Sequence, residues 1–485
     1  STTFTGISLV IAYYDIPDQI ERTLLSCSPG YQNCEPDDIE VIIVDNGSPQ
    51  PFHDALREKY PVVKDVIRVD GRPSPVHALN KGLAAASHSM VGVMIDGAHI
   101  LSPGVFRNVR EISGLYSNPV INVPQYILGP VSQNLNPEGN AFERETKALR
   151  ELNWPEDAYR LFEHALFPGE FPSRDFMSSI ESNCLITTKS VFDVHGGFDE
   201  RFDEPAGGFA NLELFSRLTQ QPDTTYILLP GEGTFHQDHN GSATMDTTPA
   251  ERDQLVQGYK EKYQAITGKE RLFNRRSPFL YGQFRRSCSH IPTISREFGG
   301  ARQQILAELA DIYVGRARAG LRNEERPKLV VGGNPSERLV RPTLDPLGLK
   351  PILAERYGVE ELRYTKYLER IHLVRKPYFY FEFGASRGGS LALARCPSVG
   401  VDPAFAVDNS IHSSTRIFRV ESDAFFNNPD LYKHLQVRPI DFAFIDGMHL
   451  AEFVVRDFVN TEKFMGPNGI VVIDDTLPEQ LAMAE

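Results

Sequence analysis

Short runs of apolar, β-branched residues alternate with a helical pattern along the first hundred residues of the chain. The predicted strands are 7–14, 39–45, 63–69 and 91–96. The sequence HALNKGLAAAS predicts a helix over 77–87. This alternation is typical of an α/β fold with a mainly parallel sheet, whose ligands bind beyond the carboxyl ends of the strands. Asp15, Asp45 and Asp96 follow apolar runs there, either as ligand contacts or as caps of the next loops.

The same alternation returns near the C-terminus, after a stretch of different composition. Residues 326–351 are rich in proline and glycine, which is typical of a linker, and a new strand is predicted at 378–384. We therefore expect a first α/β domain over 1–265, a helical and loop connector over 266–350, and a second α/β domain over 351–485. The connector contains the basic sequence GKERLFNRRSPFLYGQFRRS, either a solvated surface or a binding surface for an anionic acceptor.

Composition narrows the class of protein. Apolar residues make up 41% of the chain and charged residues 24%, as in ordinary globular proteins. A net charge of −14 disfavours nucleic acid as a partner. Five cysteines without a CxxC motif predict neither a disulfide framework nor a zinc cluster, which suits a reducing cytoplasm. No apolar run is long enough to span a bilayer, so we expect a cytoplasmic protein, with peripheral contact at the inner membrane face left open. The oligomeric state is not indicated.

Five motifs in order carry a family resemblance: SLVIAYYD, VIIVDNGSPQP, ALNKGLAAAS, VGVMIDGAH and HGGFDERFDEPAGGF. Over about residues 5–245 the set resembles the family 2 glycosyltransferases of the GT-A fold, which is Rossmann-like. The resemblance implies transfer of a sugar, with inversion, from a nucleotide-sugar donor such as a UDP-sugar. It also implies that five residues contact the donor: Ala12, Tyr14, Asp45, Asn80 and Asp96.

One departure from the family pattern concerns the metal. The Asp-x-Asp motif that holds Mn²⁺ or Mg²⁺ on the donor diphosphate corresponds here to Asp96, Gly97 and Ala98. His99 is adjacent, and the later sequence FHQDH supplies His236, Asp238 and His239. We expect the ligands Asp96, His99, His236 and Asp238, with His236 in place of the missing acid and manganese favoured by the imidazoles. Alternatively, His99 caps a turn and the later histidines lie on a surface loop.

A second departure concerns the base that deprotonates the acceptor hydroxyl. Inverting members carry a Glu-Asp pair where this chain has Ala210 and Asn211, and an amide is not a base. Glu213 is our candidate, although it lies about 200° around the helix from Asn211. Other acids that could serve are Glu204, Glu181 and Asp238.

The second domain carries its own motifs: FYFEFGASRGGSLALA, SVGVDP, FRVESDAFF, DFAFIDGMH and GIVVIDDTLP. From about residue 360 the set resembles class I S-adenosylmethionine-dependent methyltransferases, particularly sugar O-methyltransferases of the macrocin type. The resemblance implies that the cofactor is bound by Glu382, Gly384, Ser386, Gly388, Asp402 and Asp423. Among these, Asp402 is expected on the ribose of the cofactor.

Acids of this second domain also predict a metal. Asp446 lies 28 and 29 residues before Asp474 and Asp475, a spacing found in the metal-dependent methyltransferases. One Mg²⁺ on these three carboxylates could hold two sugar hydroxyls, while His449 or Asp446 takes a proton. They could also be ordinary strand-end acids. The chain ends ten residues after Asp475, before the two further strands that the resemblance implies, so we expect this domain to be truncated.

Together the two resemblances imply a bifunctional enzyme of polysaccharide biosynthesis. It would add a sugar to a glycan or glycolipid acceptor and methylate a sugar hydroxyl of the same product. The alternative is a catalytically dead glycosyltransferase fold, marked by Ala98 and Asn211, that serves as a carbohydrate-binding scaffold or holds the acceptor for the methyltransferase.

Overall fold

The computed structural model describes residues 3–129, 141–166, 182–239, 249–269, 276, 278–284, 364–405, 409–448 and 451–474. The chain divides into two units. The first comprises residues 1–309 and 406–419, and the second comprises residues 310–405 and 420–485. Most of the connector expected at 266–350, including half of its basic sequence, lies outside the described residues.

The strands, numbered along the described chain, carry most of the buried apolar residues. They are β1 (Ile7–Tyr13), β2 (Ile39–Asp45), β3 (Val63–Arg68), β4 (Met90–Met94), β5 (His99–Leu101), β6 (Pro119–Val123), β7 (Gln125–Leu128), β8 (Ala165–Leu166), β9 (Cys184–Thr188), β10 (Thr225–Leu228), β11 (Thr234–His236), β12 (Phe279–Phe284), β13 (Tyr380–Phe383), β14 (Ser398–Val401), β15 (Ile411–Phe418), β16 (Ile440–Ile445) and β17 (Met465–Ile473).

The helices, numbered in the same way, follow many of these strands. They are α1 (Ile20–Cys27), α2 (Pro29–Gln32), α3 (Asp54–Lys59), α4 (Val76–Ala85), α5 (Val105–Ser113), α6 (Ala141–Glu151), α7 (Leu161–His164), α8 (Lys189–His195), α9 (Ala210–Thr219), α10 (Pro249–Thr267), α11 (Tyr364–Arg375), α12 (Ser422–Phe426), α13 (Pro429–Tyr432) and α14 (Ala451–Glu462).

The main sheet of the first unit has the order β3-β2-β1-β4-β9-β6-β10-β12-β15. Strands β1, β2, β3 and β4 are parallel, whereas β9 runs antiparallel to β4 and β6. Every residue of β1 and β4 is buried, because helices and loops cover both faces of the sheet. The strands and the helix predicted in the first hundred residues are therefore confirmed, with ends that differ by one or two residues.

A smaller sheet of the first unit has the order β5-β11-β7-β8. Strands β5 and β11 pair antiparallel, and His236 lies directly opposite His99 in their register. Strand β11 also pairs with β7, in parallel. This pairing brings residues more than a hundred positions apart in sequence to the end of β4.

The sheet of the second unit has the order β17-β16-β13-β14, and all of its described pairings are parallel. Phe383, Val401, Ile445 and Ile473 are aligned across the four strands. The residues that follow these four positions therefore lie along one edge of the sheet.

Strand β15 departs from the expected domain order. The sequence places it between two segments of the second domain, yet residues 406–419 belong to the first unit. It pairs antiparallel with β12, with Leu280 opposite Ile417, and the Phe279 and Phe418 rings meet at 4.9 Å. Ile417 and Phe418 are fully buried there, so the apolar pattern of this strand serves the core of the first unit.

Candidate functional site

The carboxyl ends of β1, β2 and β4 meet at one edge of the first unit's sheet. Tyr13 is aligned with Asp45, and Asp96 follows two residues after the end of β4. Gly97 fits closely at this edge, because a Cβ atom placed on it would lie 2.2 Å from the carbonyl oxygen of Ala12. The turn after β4 therefore packs directly on the end of β1.

Asp96, His236 and His239 form a cluster at this edge. The Asp96 Oδ2 atom lies 3.0 Å from Nε2 of His236 and 3.2 Å from Nε2 of His239. The two imidazole nitrogens are themselves 3.2 Å apart. Each side chain remains partly accessible, at 32% for Asp96, 14% for His236 and 13% for His239. Among the residues that the structure describes, this is the one group of three or more acids, histidines or cysteines close enough to share a metal ion.

The backbone around Asp96 is held in place by its neighbours. Oδ1 of Asp96 accepts a hydrogen bond of 2.8 Å from the backbone N–H of Ala98. The backbone N–H and carbonyl of Asp96 are both bonded to the side-chain amide of Asn183, at 2.9 and 3.1 Å. One carboxylate oxygen is thus used by the turn, and the other faces the two imidazoles.

His99 and Asp238, both expected as ligands, stand apart from the cluster. His99 is 1% exposed and its Nε2 atom is 3.9 Å from Oδ2 of Asp96. Its Nδ1 atom has no hydrogen-bond partner within the described part of the chain. The carboxylate of Asp238 faces Arg144 at 3.8 Å. His239, which the sequence supplied but which our expected ligand set omitted, takes the third position instead.

Electrostatics in the cluster favour a charged carboxylate beside its histidines. Burial alone would raise the pKa of Asp96, but His239 and His236 outweigh it and hold that pKa well below its usual range. Burial would lower the pKa of His239, yet the charge and hydrogen bond of Asp96 raise it overall. Burial, followed by the charge of His236, holds the pKa of His99 well below its usual range, so its ring is neutral.

A buried ion pair supports the segment that carries both histidines of the cluster. Arg22 on α1 donates to the carboxylate of Glu145 on α6 at 3.0 Å, and both are nearly inaccessible. The other oxygen of Glu145 accepts the backbone N–H of Asp238 at 2.6 Å. Gln237, fully buried, donates to α1 through its side-chain amide and to the carbonyl of Ala98 through its backbone N–H. Burial raises the pKa of Glu145 to about 7, although the Asp238 N–H and Arg22 oppose this.

The residues expected to contact the nucleotide differ in their exposure and in their hydrogen bonds to the rest of the protein. Asp45 is 1% exposed, and its carboxylate accepts the N–H groups of Ser48 and Phe52 and a guanidinium N–H of Arg68. Tyr14, by contrast, is 52% exposed at the end of β1.

Asn80, on α4, is the remaining residue expected at the donor. Its amide bonds both the N–H and the carbonyl of Phe198, each at 2.9 Å, and so ties α4 to the loop after α8.

Glu213, our candidate base, is held in an ion pair. Arg217, four residues on in α9, donates to both of its carboxylate oxygens, at 2.7 and 3.1 Å. The same guanidinium donates to the carbonyls of His195 and Gly197. The structure therefore gives Glu213 a part in anchoring α9 and does not support its assignment as the base. The spacing of four residues in a helix is a sequence signal for this pair.

In the second unit, four of the expected residues line one edge of the sheet. Asp402, Gly384, Asp446 and Asp474 each follow one of the four aligned strand residues. Gly384 has φ of +77°, and a Cβ atom on it would lie 1.7 Å from the carbonyl oxygen of Asp446. Only glycine fits where the two strand ends approach so closely.

The turn after β13 is shaped by Asp402. Its two carboxylate oxygens accept the backbone N–H groups of Ser386 at 2.7 Å and Ala404 at 2.6 Å. Ser386 and Gly388 both have positive φ, at +43° and +77°, so the chain turns sharply here. Asp402 thus fixes the backbone on both sides of this edge of the sheet.

Glu382 and Asp423, both expected to bind the cofactor, are bonded to other side chains of the protein. Glu382 is fully buried and accepts hydrogen bonds from Ser390 and Tyr380, and burial raises its pKa to about 8. Asp423, in the first turn of α12, forms an ion pair with Arg456. His449 and Asp475 lie outside the described residues, so their roles stay predictions.

Two parts of the chain match models of protein families. Residues 8–110 match the model of glycosyl transferase family 2, and residues 382–476 match a methyltransferase domain. The chain thus carries an N-terminal domain that is similar to family 2 glycosyltransferases and a C-terminal domain that is similar to methyltransferases. The α/β fold expected for each is confirmed, whereas the macrocin-type subclass is not established. A comparison with curated proteins finds no match.

Solved structures with similarity to the chain include TarS and a mannosyltransferase. TarS from S. aureus has 11% identity and a TM-score of 0.33, over 54% of this chain and 44% of that one. Mannosyltransferase PcManGT from Pyrobaculum calidifontis, in complex with GDP-Man and Mn²⁺, has 14% identity and a TM-score of 0.36, over 66% and 77%. TarS 1-349 in complex with UDP-GlcNAc has 10% identity and a TM-score of 0.33, over 65% and 92%. The chain therefore spans less than half the length of the first of these proteins.

Among the described residues, none of the helices combines the length and the apolar character that crossing a bilayer requires.

Proposed function

We propose that the chain is a bifunctional enzyme of glycan assembly. Its N-terminal domain transfers a sugar from a nucleotide-sugar donor, with a divalent metal held by Asp96, His236 and His239. Its C-terminal domain methylates a sugar hydroxyl with S-adenosylmethionine. The observation that carries the proposal is the Asp96-His236-His239 cluster at the ligand-binding edge of a family 2 glycosyltransferase domain.

The spacing of the cluster suits a metal ion. Ligands at roughly 2.0 to 2.2 Å from a metal, with tetrahedral or octahedral angles, are about 2.8 to 3.6 Å from one another. The three ligand atoms are 3.0, 3.2 and 3.2 Å apart. Two imidazole nitrogens that face each other at 3.2 Å repel when both carry hydrogen, and a shared cation removes that conflict.

The chemical types of the three proposed ligands also favour one kind of metal. Two imidazoles and one carboxylate suit Mn²⁺ better than Mg²⁺, which prefers oxygen ligands. A bound ion of this kind supplies positive charge to the departing diphosphate. The residues of the chain position that charge, and the partial exposure of all three side chains leaves one side of the site open for the donor.

For the methyltransferase domain, the sharp turn over Ser386 to Gly388 and the neighbouring Asp402 form the proposed cofactor surface. Asp446 and Asp474 follow adjacent positions of paired parallel strands, so their backbones lie side by side. With Asp475 they are the proposed ligands of Mg²⁺, and a sugar hydroxyl is the proposed methyl acceptor.

The competing proposal is a non-catalytic glycan-binding module in place of the glycosyltransferase. The absent second carboxylate at Ala98 and the ion-paired Glu213 favour it. The two proposals differ in one measurable respect, because a non-catalytic module releases no nucleotide from any donor.

Metal binding by the full chain tests the first proposal. We expect calorimetry to show one Mn²⁺ site in the first unit that His239→Ala weakens at least tenfold, with parallel loss of nucleotide release from the donor. His195→Ala is the matched control, because His195 pairs with Asp223 outside the cluster. Unchanged Mn²⁺ affinity in His239→Ala would refute the ligand assignment. Tight Mn²⁺ binding without nucleotide release from UDP- and GDP-sugars would favour the non-catalytic module.

A further inference from the structure

Glu204 carries a carboxylate without a hydrogen-bond partner. Both of its oxygen atoms are shielded from solvent, and no donor reaches either of them among the residues that the structure describes. Burying such a group unpaired costs about 1 to 3 kcal/mol or more, so native proteins satisfy nearly all of them. An orphaned carboxylate therefore points to a ligand group that the folded chain does not itself supply.

The loop that carries Glu204 is held firmly on both sides. Glu204 precedes a short 3₁₀ turn at Pro205–Gly207, just before α9. Three hydrogen bonds hold this loop: Ser74 Oγ to the Phe202 carbonyl at 2.7 Å, Ala206 N–H to the Pro73 carbonyl at 3.1 Å, and Tyr259 Oη to the Pro205 carbonyl at 2.9 Å. The unpaired carboxylate thus sits on a well-anchored backbone, as a preorganised reactive group requires.

The topology places this loop at the ligand-binding edge of the sheet. Residues 69–75 leave the carboxyl end of β3 and lead into α4, so they lie at the same edge as Asp96. The loop of Glu204 is bonded to Pro73 and Ser74 of this connection. Glu204 therefore belongs to the same rim of the first unit as the metal cluster.

We propose that Glu204 is the general base that takes the proton from the acceptor hydroxyl in glycosyl transfer. This inference rests on the proposed function of the first unit. Asn211 lacks a basic oxygen, and Glu213 is occupied by Arg217. Among the described acids of this segment, Glu204 is the one with both carboxylate oxygens buried and without a hydrogen-bond partner.

The proposed step is a substitution at the anomeric carbon with inversion of its configuration. The acceptor oxygen forms the new bond to that carbon while its proton passes to Glu204. The bond between the anomeric carbon and the diphosphate breaks, and its electron pair goes to the diphosphate oxygen. Glu204 then returns the proton to solvent, so no further reactant is needed.

Gly208 and helix α10 lie close to the Glu204 side chain. A Cβ atom on Gly208, which has φ of +52°, would lie 3.3 Å from Oε2 of Glu204. Among the described residues, Tyr259 and Lys262 on α10 are titratable groups that the charge of Glu204 reaches. Lys262 forms an ion pair with Asp203 at 2.8 Å. Burial raises the pKa of Tyr259, and the charge of Glu204 raises it further.

An isosteric variant with a matched neighbour tests the assignment on the full chain. We expect Glu204→Gln to lower the turnover of sugar transfer by about 10²- to 10⁴-fold, while Mn²⁺ and nucleotide affinities by calorimetry change less than twofold. Asp203→Asn makes the same chemical change one residue away, on a side chain that is 73% exposed, and should keep the wild-type turnover.

Chemical rescue separates a base from a structural residue. Formate should restore part of the turnover of Glu204→Ala, and the acid limb of its pH profile should then follow formate, because the small carboxylate replaces the missing base. Wild-type turnover in Glu204→Gln, or loss in Glu204→Ala without rescue by formate or by Glu204→Asp, would overturn the proposal. If the wild-type chain itself turns over no donor, the proposed function fails, and that outcome is distinct from either of these.

Discussion

At the scale of single residues, the metal cluster depends on side chains that do not belong to it. Arg22 and Glu145 form a buried pair that holds the backbone N–H of Asp238, between the two ligand histidines. Gln237 ties the same segment to α1. Partners of this kind orient metal ligands, and their loss typically lowers metal affinity by about 10- to 100-fold.

Glu145→Gln tests this support at the level of one atom. The amide can still accept the Asp238 N–H, but it no longer neutralises Arg22, so we expect Mn²⁺ affinity to fall about tenfold with the three ligands intact. Glu151→Gln, on the exposed side of the same helix, should leave the affinity unchanged. Calorimetric titration with Mn²⁺ checks both, and equal affinities for the two variants would remove Glu145 from the support of the site.

At the scale of elements, each proposed site depends on how strand ends meet. In the first unit, β11 reaches the end of β4 because it pairs with β5, which sets His236 opposite His99. In the second unit, the turn after β13 passes against the turn after β16. Both contacts join elements that are far apart in sequence, and both lie where parallel strands place their ligands.

Gly384→Ala tests the contact in the second unit. Its φ of +77° and the 1.7 Å approach of the Asp446 carbonyl leave no space for a methyl group, so we expect destabilisation by at least about 3 kcal/mol. Gly447→Ala is the matched control, since its Cβ would meet Asp457 at an ordinary 3.5 Å. Urea unfolding of the full chain, followed by circular dichroism, should show an early transition in the first variant alone. A stable Gly384→Ala would mean that the two turns are further apart than the structure has them.

At the scale of the whole molecule, the chain does not divide into units at one point. Residues 406–419 interrupt the sequence of the second unit and add β15 to the sheet of the first. Tyr281 on β12 and Ser414 on β15 both donate to the carboxylate of Glu111, at 2.8 and 3.2 Å. The glycosyltransferase unit is therefore incomplete when the chain is cut between the two matched family domains.

A fragment of residues 1–309 tests this dependence. The single tryptophan, Trp154, lies in the first unit, so its fluorescence reports the unfolding of that unit. Without β15 the apolar edge of β12 is exposed, and we expect the midpoint of thermal unfolding to fall by at least about 5 °C relative to the full chain. A peptide of residues 406–419 should raise it again, whereas a scrambled peptide should not. A fragment as stable as the full chain would show that β15 adds nothing to the first unit.

The sequence by itself determined the elements that local pattern encodes. Apolar periodicity predicted β1, β2, β3, β4 and α4 because a buried strand or an amphipathic helix carries its pattern within a few consecutive residues. The order of short motifs predicted both enzyme domains, which the family comparisons support. It also directed attention to Asp96 and His236, whose side chains the structure brings together.

The tertiary structure alone decided which side chains meet. His239, and neither His99 nor Asp238, joins the cluster. Strand pairing turns His99 into the interior, and the carboxylate of Asp238 faces Arg144. The unpaired state of Glu204 and the place of β15 likewise depend on contacts between residues far apart in sequence. A sequence records the chemical types available at a sheet edge, but the pairing of distant strands sets the distances, and distance decides whether two groups share a metal or a proton.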